Sequence, residues 1–386
     1  MHNKYNDEEL TLGLQLLDIP YDEQLKKKKK TVKELFKATF KRNINIKDMI
    51  GMKNPYHYRN KVQVVVGTNK KGKIITGMYQ ENTHKLVALK SSVVHDKKVD
   101  EIISSIKKLM NSFRVSAYNE DTKNGLIRHL LIKRGFSTSQ IMVVIVVTTD
   151  MFPGRNNFVK ELRKLHPEIT TIIQNINSRK TSIVLGDKER VLYGKGYITD
   201  ILCGLKFNIS SKSFYQVNPI QTEILYKKTI EYANLKGKEI VLDAYCGIGT
   251  IGLIASKKAK EVIGVEVNKD AVRDAINNAK INNIKNVRFH RTDASLYISK
   301  LTFSKQLVDI VFIDPPRVGC DEEFLRALIK LKPKKIGYIS CNPVTLVRDL
   351  KILNDNDYKI HEVQPIDMFP HTKHVECIAL LQREIM

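Results

Sequence analysis

Cysteine is scarce in this chain. No two of its five cysteines (Cys203, Cys246, Cys320, Cys341 and Cys377) stand at C-x-x-C spacing. That argues against zinc ribbons and dithiol redox motifs, so no metal site is expected. An odd, sparse set also speaks against a disulfide framework and for a reducing compartment. Long apolar runs are missing as well. The longest, residues 141–147, has the length of a strand, whereas a membrane span needs ~20 residues. Residues 1–10 are acidic and polar and lack the apolar core of a signal peptide. A cytoplasmic protein without a membrane partner is expected. Acidic residues are the remaining shortfall: 41 Asp and Glu face 65 Lys and Arg, a formal net charge of +24. Such an excess favours a polyanionic partner, because each phosphate neutralised by Lys or Arg releases condensed counterions. The alternative is a lysine-rich surface that is merely solvated; nucleic acid is the expected partner, and no obligate protein partner is evident.

The 386 residues leave room for two domains and an appendage. Residues 1–50 read as a helical, basic segment, with Leu25, Val32, Leu35, Phe36 and Phe40 near helical spacing. Its five consecutive lysines at 26–30 are expected to form a solvated helix face, with a phosphate-facing patch as the alternative. Residues 51–205 are β-rich. Hairpins are expected over 61–79, around Asn69-Lys70-Lys71-Gly72, and over 126–148, with short helices at 100–112 and 156–165.

Residues 206–386 change rhythm. Seven candidate strands (239–243, 261–266, 287–290, 309–313, 335–340, 358–364 and 375–381) alternate with helices at 250–258, 269–281, 322–331 and 344–354. This is the pattern of an α/β fold with a doubly wound, Rossmann-like, seven-stranded sheet. Only residues 365–374 join the last two strands, so the seventh should run antiparallel, at the end of the sheet. Ligands in such sheets sit at the carboxyl ends of the strands.

The first of these strands runs into Asp243-Ala244-Tyr245-Cys246-Gly247-Ile248-Gly249-Thr250-Ile251-Gly252. Glycines here let a ligand approach the backbone, and the spacing also matches a dinucleotide fingerprint. Glu266 closes the second strand, where it could accept from ribose hydroxyls, and Asp293 follows the third, where an adenine would lie. Asp314-Pro315-Pro316-Arg317 follows the fourth. Two prolines make a stiff turn with few N–H groups, suited to holding a carboxylate and carbonyls against a planar substrate. A dehydrogenase has no use for that turn; methyltransferases acting on planar nitrogenous rings commonly carry it.

Strand five ends in Ser340-Cys341-Asn342-Pro343, just before a helix. A helix N-terminus can stabilise a thiolate there. The other four cysteines are expected to be packed thiols. A thiolate adding to carbon 6 of uracil makes carbon 5 nucleophilic, and a base must later take the carbon-5 proton. Candidates for that base stand in the last motif, Phe369-Pro370-His371-Thr372-Lys373-His374-Val375-Glu376: His371, His374 and Glu376, with Glu376 slightly ahead.

Five ordered motifs carry a resemblance: Ser213-Phe214-Tyr215-Gln216-Val217-Asn218, the glycine turn, Asp314-Pro-Pro-Arg, Ser340-Cys-Asn-Pro and the Phe369–Glu376 segment. Together they resemble the RNA uracil-5-methyltransferase family, whose members modify tRNA and 23S ribosomal RNA. The likeness runs from about Gly51 to the C-terminus, and Tyr56-His-Tyr-Arg-Asn-Lys61 resembles the start of the family's central domain. The resemblance implies S-adenosylmethionine as cofactor, Cys341 as nucleophile and Glu376 as base. It places Gln216, Tyr245, Gly247, Gly249, Glu266 and Asp314 around the cofactor, with Thr250 and Asp293 beside them. The central domain would bind RNA, most plausibly 23S ribosomal RNA, with tRNA as the alternative.

Two departures stand out. The close-set cysteines that bind an iron–sulfur cluster in many members have no counterpart in Thr11-Leu12-Gly13-Leu14-Gln15-Leu16, so no cluster is expected. About fifty N-terminal residues also leave no space for the small RNA-binding barrel many members carry. RNA affinity should then come from the central domain, the basic surface and the N-terminal lysines. Among rivals, cytosine-5 methyltransferases usually put their cysteine after Pro-Pro or Pro-Cys on strand four, where Arg317 stands here. A non-catalytic RNA-binding protein on the same scaffold should have lost the cysteine or the base, and both are present.

Overall fold

The alternation of residues 61–66 becomes β1 (Lys61–Thr68), which a turn returns as β2 (Ile74–Tyr79). The Asn69 side chain closes that turn by accepting from the Lys71 and Lys73 N–H groups, both at 3.0 Å. The computed structural model describes residues 13–80, 83, 85–179, 181 and 183–384; the first twelve residues of the expected helical segment, including Thr11 and Leu12, lie outside them. After β3 (Leu86–Ala88) come α2 (Lys97–Ser112, the second helix along the chain), β4 (Ile127–Arg134) and β5 (Ile141–Val147). Then follow α3 (Arg155–Leu165), β6 (Ile169–Ile176) and β7 (Lys188–Tyr193). The sheet order is β3-β2-β1-β4-β5-β6-β7. Only β5 and β6 run parallel, because a helix joins them. One face packs Val62, Val64, Leu130 and Ile132 against Ile102, Ile106, Phe158 and Leu162 of the helices. A separate two-stranded sheet follows, β8 (Tyr197–Leu202) and β9 (Leu205–Ser210).

Sequence divides the chain into three, but its contacts make two compact units. One is built on Pro55–Ile201 with Asn208–Lys212; the other joins Ile19–Asn54, Leu202–Phe207 and the chain from Ser213 onward. The N-terminal helix, α1 (Tyr21–Thr39), therefore belongs to the C-terminal unit. Its Val32 and Phe36 enter the same core as Leu350 and Leu353. The helix stops at Thr39 and does not run to Ile50. Residues 45–50 are extended and line an edge strand instead: Lys47 N donates to Val363 O and Val363 N to Asn45 O, both at 2.9 Å.

In that unit the order is α4 (Pro219–Ala233), β10 (Ile240–Ala244), α5 (Thr250–Ser256), β11 (Glu261–Glu266), α6 (Lys269–Ile281), β12 (Val287–Arg291) and α7 (Ala294–Phe303). It continues with β13 (Ile310–Ile313), α8 (Glu322–Leu331), β14 (Lys335–Ser340), α9 (Pro343–Asn354), β15 (Tyr358–Ile366) and β16 (Glu376–Arg383). The sheet order is β12-β11-β10-β13-β14-β16-β15. The seventh strand is antiparallel, as its short connection requires, but it is not at the end of the sheet. It lies between β14 and β15. The burial pattern explains the correction: Glu376, Cys377, Ile378 and Ala379 are all buried, so both faces of β16 need cover. By contrast β15 starts with alternating buried and exposed residues and takes the edge.

The lysine run is not a uniform solvated face. Lys28 is only 2% exposed and pairs with the fully buried Asp367 at 2.6 Å. Burial lowers the Lys28 pKa, and Asp367 opposes that shift. Tyr21 OH donates to the other Asp367 oxygen at 2.9 Å, and Gln24 accepts from His371 N at 3.0 Å. The N-terminal helix thus ties down the segment that leads into Glu376.

Candidate active site

Each strand of the parallel part delivers one polar group at its carboxyl end. The turn after β10 needs left-handed backbone at Tyr245 (φ 65°), Gly247 (φ 54°) and Gly249 (φ 83°). Tyr245 is the costly one, since a residue with a Cβ pays about 1 kcal/mol or more there. Its ring packs on Phe324 with centroids 5.3 Å apart, and its hydroxyl lies among Cys320, Asp321 and Asp293. Gly252 lets α5 approach β10: its N–H donates to Asp243 Oδ2 at 2.7 Å, where a side chain would collide. Glu266 holds the same turn from the next strand. Its carboxylate accepts from Gly247 N at 3.1 Å and from Asn268 N at 2.8 Å. Asp293 is exposed and caps α7, with Oδ1 accepting from Ser295 N at 2.8 Å and Leu296 N at 3.2 Å. Gln216 is buried two residues before the Asn218 cap of α4.

Cys341 and Glu376 meet through strand register. Ser340 pairs with Cys377 in the antiparallel β14–β16 ladder, so Cys341, one residue on, stands opposite Glu376. Glu376 is 1% exposed, and its carboxyl is raised well above the usual range, first by burial and then by Asp314. Burial raises half-buried Asp314 too. The Cys341 thiol is pushed up to about 11, by burial first and then by the Glu376 and Asp314 charges, with Arg317 opposing. Burial first, and then the two carboxyl charges, work against the thiolate expected at the helix N-terminus. The other two candidates for the base have partners of their own. His371 is buried against Gln24, and exposed His374 lies 3.0 Å from the Arg317 guanidinium.

Sequence reasoning missed two groups. Tyr226, on α4, is 3% exposed; Thr250 Oγ1 donates to its hydroxyl oxygen at 3.4 Å. Burial raises this phenol first, followed by the Asp314 charge, with Asp243 and Glu376 adding to it. Only its helical spacing from Asn218 and Thr222, four residues at a time, could have marked it. Asp349 is the second. Fully buried, it accepts from Tyr338 OH at 2.6 Å and from Cys320 N at 2.9 Å. Asn342 Nδ2 donates to Arg317 O at 3.0 Å, and Arg348 donates to Val318 O and Cys320 O, both at 3.0 Å. These bonds fasten the Asp314-Pro-Pro-Arg loop to the helix behind Cys341. Asp349→Ala leaves two buried donors unpaired and should cost about 3 kcal/mol, read as a lower melting temperature of the whole chain.

The charge at this rim suits a small cationic ligand. A side chain at Gly247 would meet no atom within 4 Å, so the turn borders open space. Glu266 and Asp314, both acceptors, lie near Asp243, whose Oδ1 is buried without a hydrogen bond. Burial pushes Asp243 up to about 8, with nearby Asp314 and Glu266 adding to the rise. Such a set matches a sulfonium and the donor hydroxyls of a ribose.

Fold and site together define an S-adenosylmethionine-dependent methyltransferase of RNA. The tRNA (uracil-5-)-methyltransferase family model matches residues 20–384, and the chain belongs to that family. RNA methyltransferases, described as uncharacterized, are similar to it: one from Bacillus cereus is 43% identical over 96% of this chain and 81% of its own, and one from Clostridium tetani is 44% identical over 96% and 80%. Among solved structures, the tRNA (uracil-54, C5)-methyltransferase of Pyrococcus abyssi, in complex with S-adenosyl-L-homocysteine, superposes with a TM-score of 0.79. It is 29% identical, over 96% of this chain and 86% of that one. Among the described residues, no helix is long and apolar enough to cross a membrane.

Proposed function

We propose that this enzyme methylates carbon 5 of one specific uridine in 23S ribosomal RNA, with Cys341 as covalent nucleophile and Glu376 as general base. The observation that carries the mechanism is the pairing of Cys341 and Glu376 across adjacent strand ends, with Asp314 beside both. Gln216, Tyr245, Gly247, Gly249, Thr250, Glu266, Asp293 and Asp314 would hold S-adenosylmethionine. When bound, the cofactor supplies a methyl group on a positively charged sulfur. The target base is turned out of its stack into the cleft at the strand ends. Cys341, its proton lost to solvent, bonds carbon 6, which makes carbon 5 nucleophilic toward the methyl. Glu376 takes the proton from carbon 5, the carbon–sulfur bond breaks, and the thiolate returns. A carboxyl with a raised pKa is well matched to this work near neutral pH. The β-rich unit, 51–205 in the sequence reading, would supply RNA affinity from its basic surface.

A second reading, a tRNA uridine, is favoured by the Pyrococcus relative, which acts on tRNA uracil-54. Mass-spectrometric mapping of 5-methyluridine in 23S ribosomal RNA and tRNA, with and without the gene, separates them. Loss of one ribosomal site is expected. Loss confined to tRNA moves the target to the second reading, and no loss in either removes both.

A further inference from the structure

The lysines of α1 divide into two groups. Lys28 faces inward and Lys29 pairs with Asp48. Lys26, Lys30, Lys33 and Lys37 are exposed and follow one another at steps of four, three and four residues. At 100° per residue these steps keep all four on one stripe, opposite the buried face of Gln24, Lys28, Val32 and Phe36. The stripe runs ~17 Å at 1.5 Å per residue. Lys27 is exposed beside it. Among the described residues, Lys26, Lys27, Lys33 and Lys37 have no carboxylate within ion-pair distance, and Lys30 has only Glu34 at 3.8 Å, both well exposed. Exposed pairs of that kind add little. Asp22 and Glu23 lie in the first turn, so the helix carries seven lysines against three carboxylates.

Like charges at three- and four-residue spacing repel and weaken the helix they sit on. A polyanion relieves that repulsion. The stripe is also fixed relative to the reaction centre, because Lys28, Tyr21 and Gln24 bolt the same helix to Asp367, Phe369 and His371, just before Glu376. We infer that Lys26, Lys30, Lys33 and Lys37 form a rail for the phosphate backbone of the substrate RNA, seating it on the methyltransferase unit itself. The inference rests on the reading of RNA as substrate.

The test replaces the four lysines together with glutamine in the full chain. A control replaces four other exposed lysines, Lys236, Lys238, Lys258 and Lys260, near the opposite ends of the strands. Unmodified transcripts of 23S ribosomal RNA and tRNA are the probes, over a range of salt. The stripe variant should lose about 2–3 from the slope of log affinity against log salt, at ~0.7 per phosphate contact, and its KM for RNA should rise roughly tenfold, with kcat at saturation unchanged. Four arginines at the same positions should restore the wild-type slope. The inference is overturned if the stripe variant keeps the wild-type slope and KM, or if arginine does not restore them. An equal loss in the control set also overturns it, as does a defect confined to binding phosphatidylglycerol vesicles. If wild-type enzyme neither binds nor methylates either RNA, the functional reading itself has failed; a wild type that methylates while the stripe variant behaves identically removes the rail alone.

Discussion

Cys341→Ala is expected to abolish methyl transfer and to leave no covalent complex with RNA carrying 5-fluorouridine. Wild-type enzyme, given S-adenosylmethionine and the same RNA, should form an adduct that survives denaturation, because fluorine at carbon 5 cannot leave as a proton. The expected loss of turnover is roughly 10⁴–10⁶-fold, as for other covalent nucleophiles. Alanine fits the site: Cys341 is half-buried and adds no large volume to the core. Folding should survive, and the melting temperature checks that. Cys320→Ala is the informative comparison. This thiol lies 3.4 Å from the Tyr338 hydroxyl, inside the network that holds the loop, so its loss should touch stability while leaving the adduct intact. If wild-type enzyme gives no adduct while turning over, or if Cys341→Ala still gives one, the covalent scheme is wrong.

What the sequence made legible follows the physics of each feature. Helix starts were readable where a capping side chain announces them: Asn268, Asp321 and Asn342 cap α6, α8 and α9, and the expected boundaries there agree to within one residue. Helix α7 was missed because Asp293, its cap, read as a ligand. Antiparallel direction followed from the short connection before β16, but position did not, since insertion between β14 and β15 depends on which strand needs cover on both faces. Local motifs placed Cys341, Asp314 and Glu376 at strand ends. They could not give the electrostatics. The raised thiol, the paired carboxyls and the Tyr226 hydroxyl among them arise from side chains 27 to 150 residues apart. The lysine run shows the same limit most plainly. Composition cannot tell that Lys28 alone of five turns inward, because that depends on Asp367, which comes 339 residues later.

Glu376→Gln should convert the enzyme from one that turns over to one that stalls. Glutamine keeps the shape and accepts hydrogen bonds but cannot take a proton, so addition and methyl transfer can proceed while release cannot. Ordinary uridine RNA should then accumulate as a covalent, methylated complex, and kcat should fall roughly 10²–10⁴-fold, the usual worth of general-base catalysis. The wild-type pH profile carries the same logic. Glu376 must be ionised to act, and burial with Asp314 close by holds its pKa above the ordinary carboxylate range. Activity should therefore rise with pH through that raised value, and keep rising as the thiol pushed up to about 11 becomes easier to ionise. The two carboxyls titrate as a pair, so the acid limb belongs to both. In Glu376→Gln burial and Asp314 still raise the thiol but the Glu376 charge no longer adds to them, and adduct formation, measured in a single turnover, should reach a given rate at lower pH than in the wild type. Rapid release of methylated product by this variant would move the base to His374, the exposed imidazole beside Arg317. A stalled complex whose formation keeps the wild-type pH dependence would leave Glu376 as the base and remove its charge as the cause of the raised thiol.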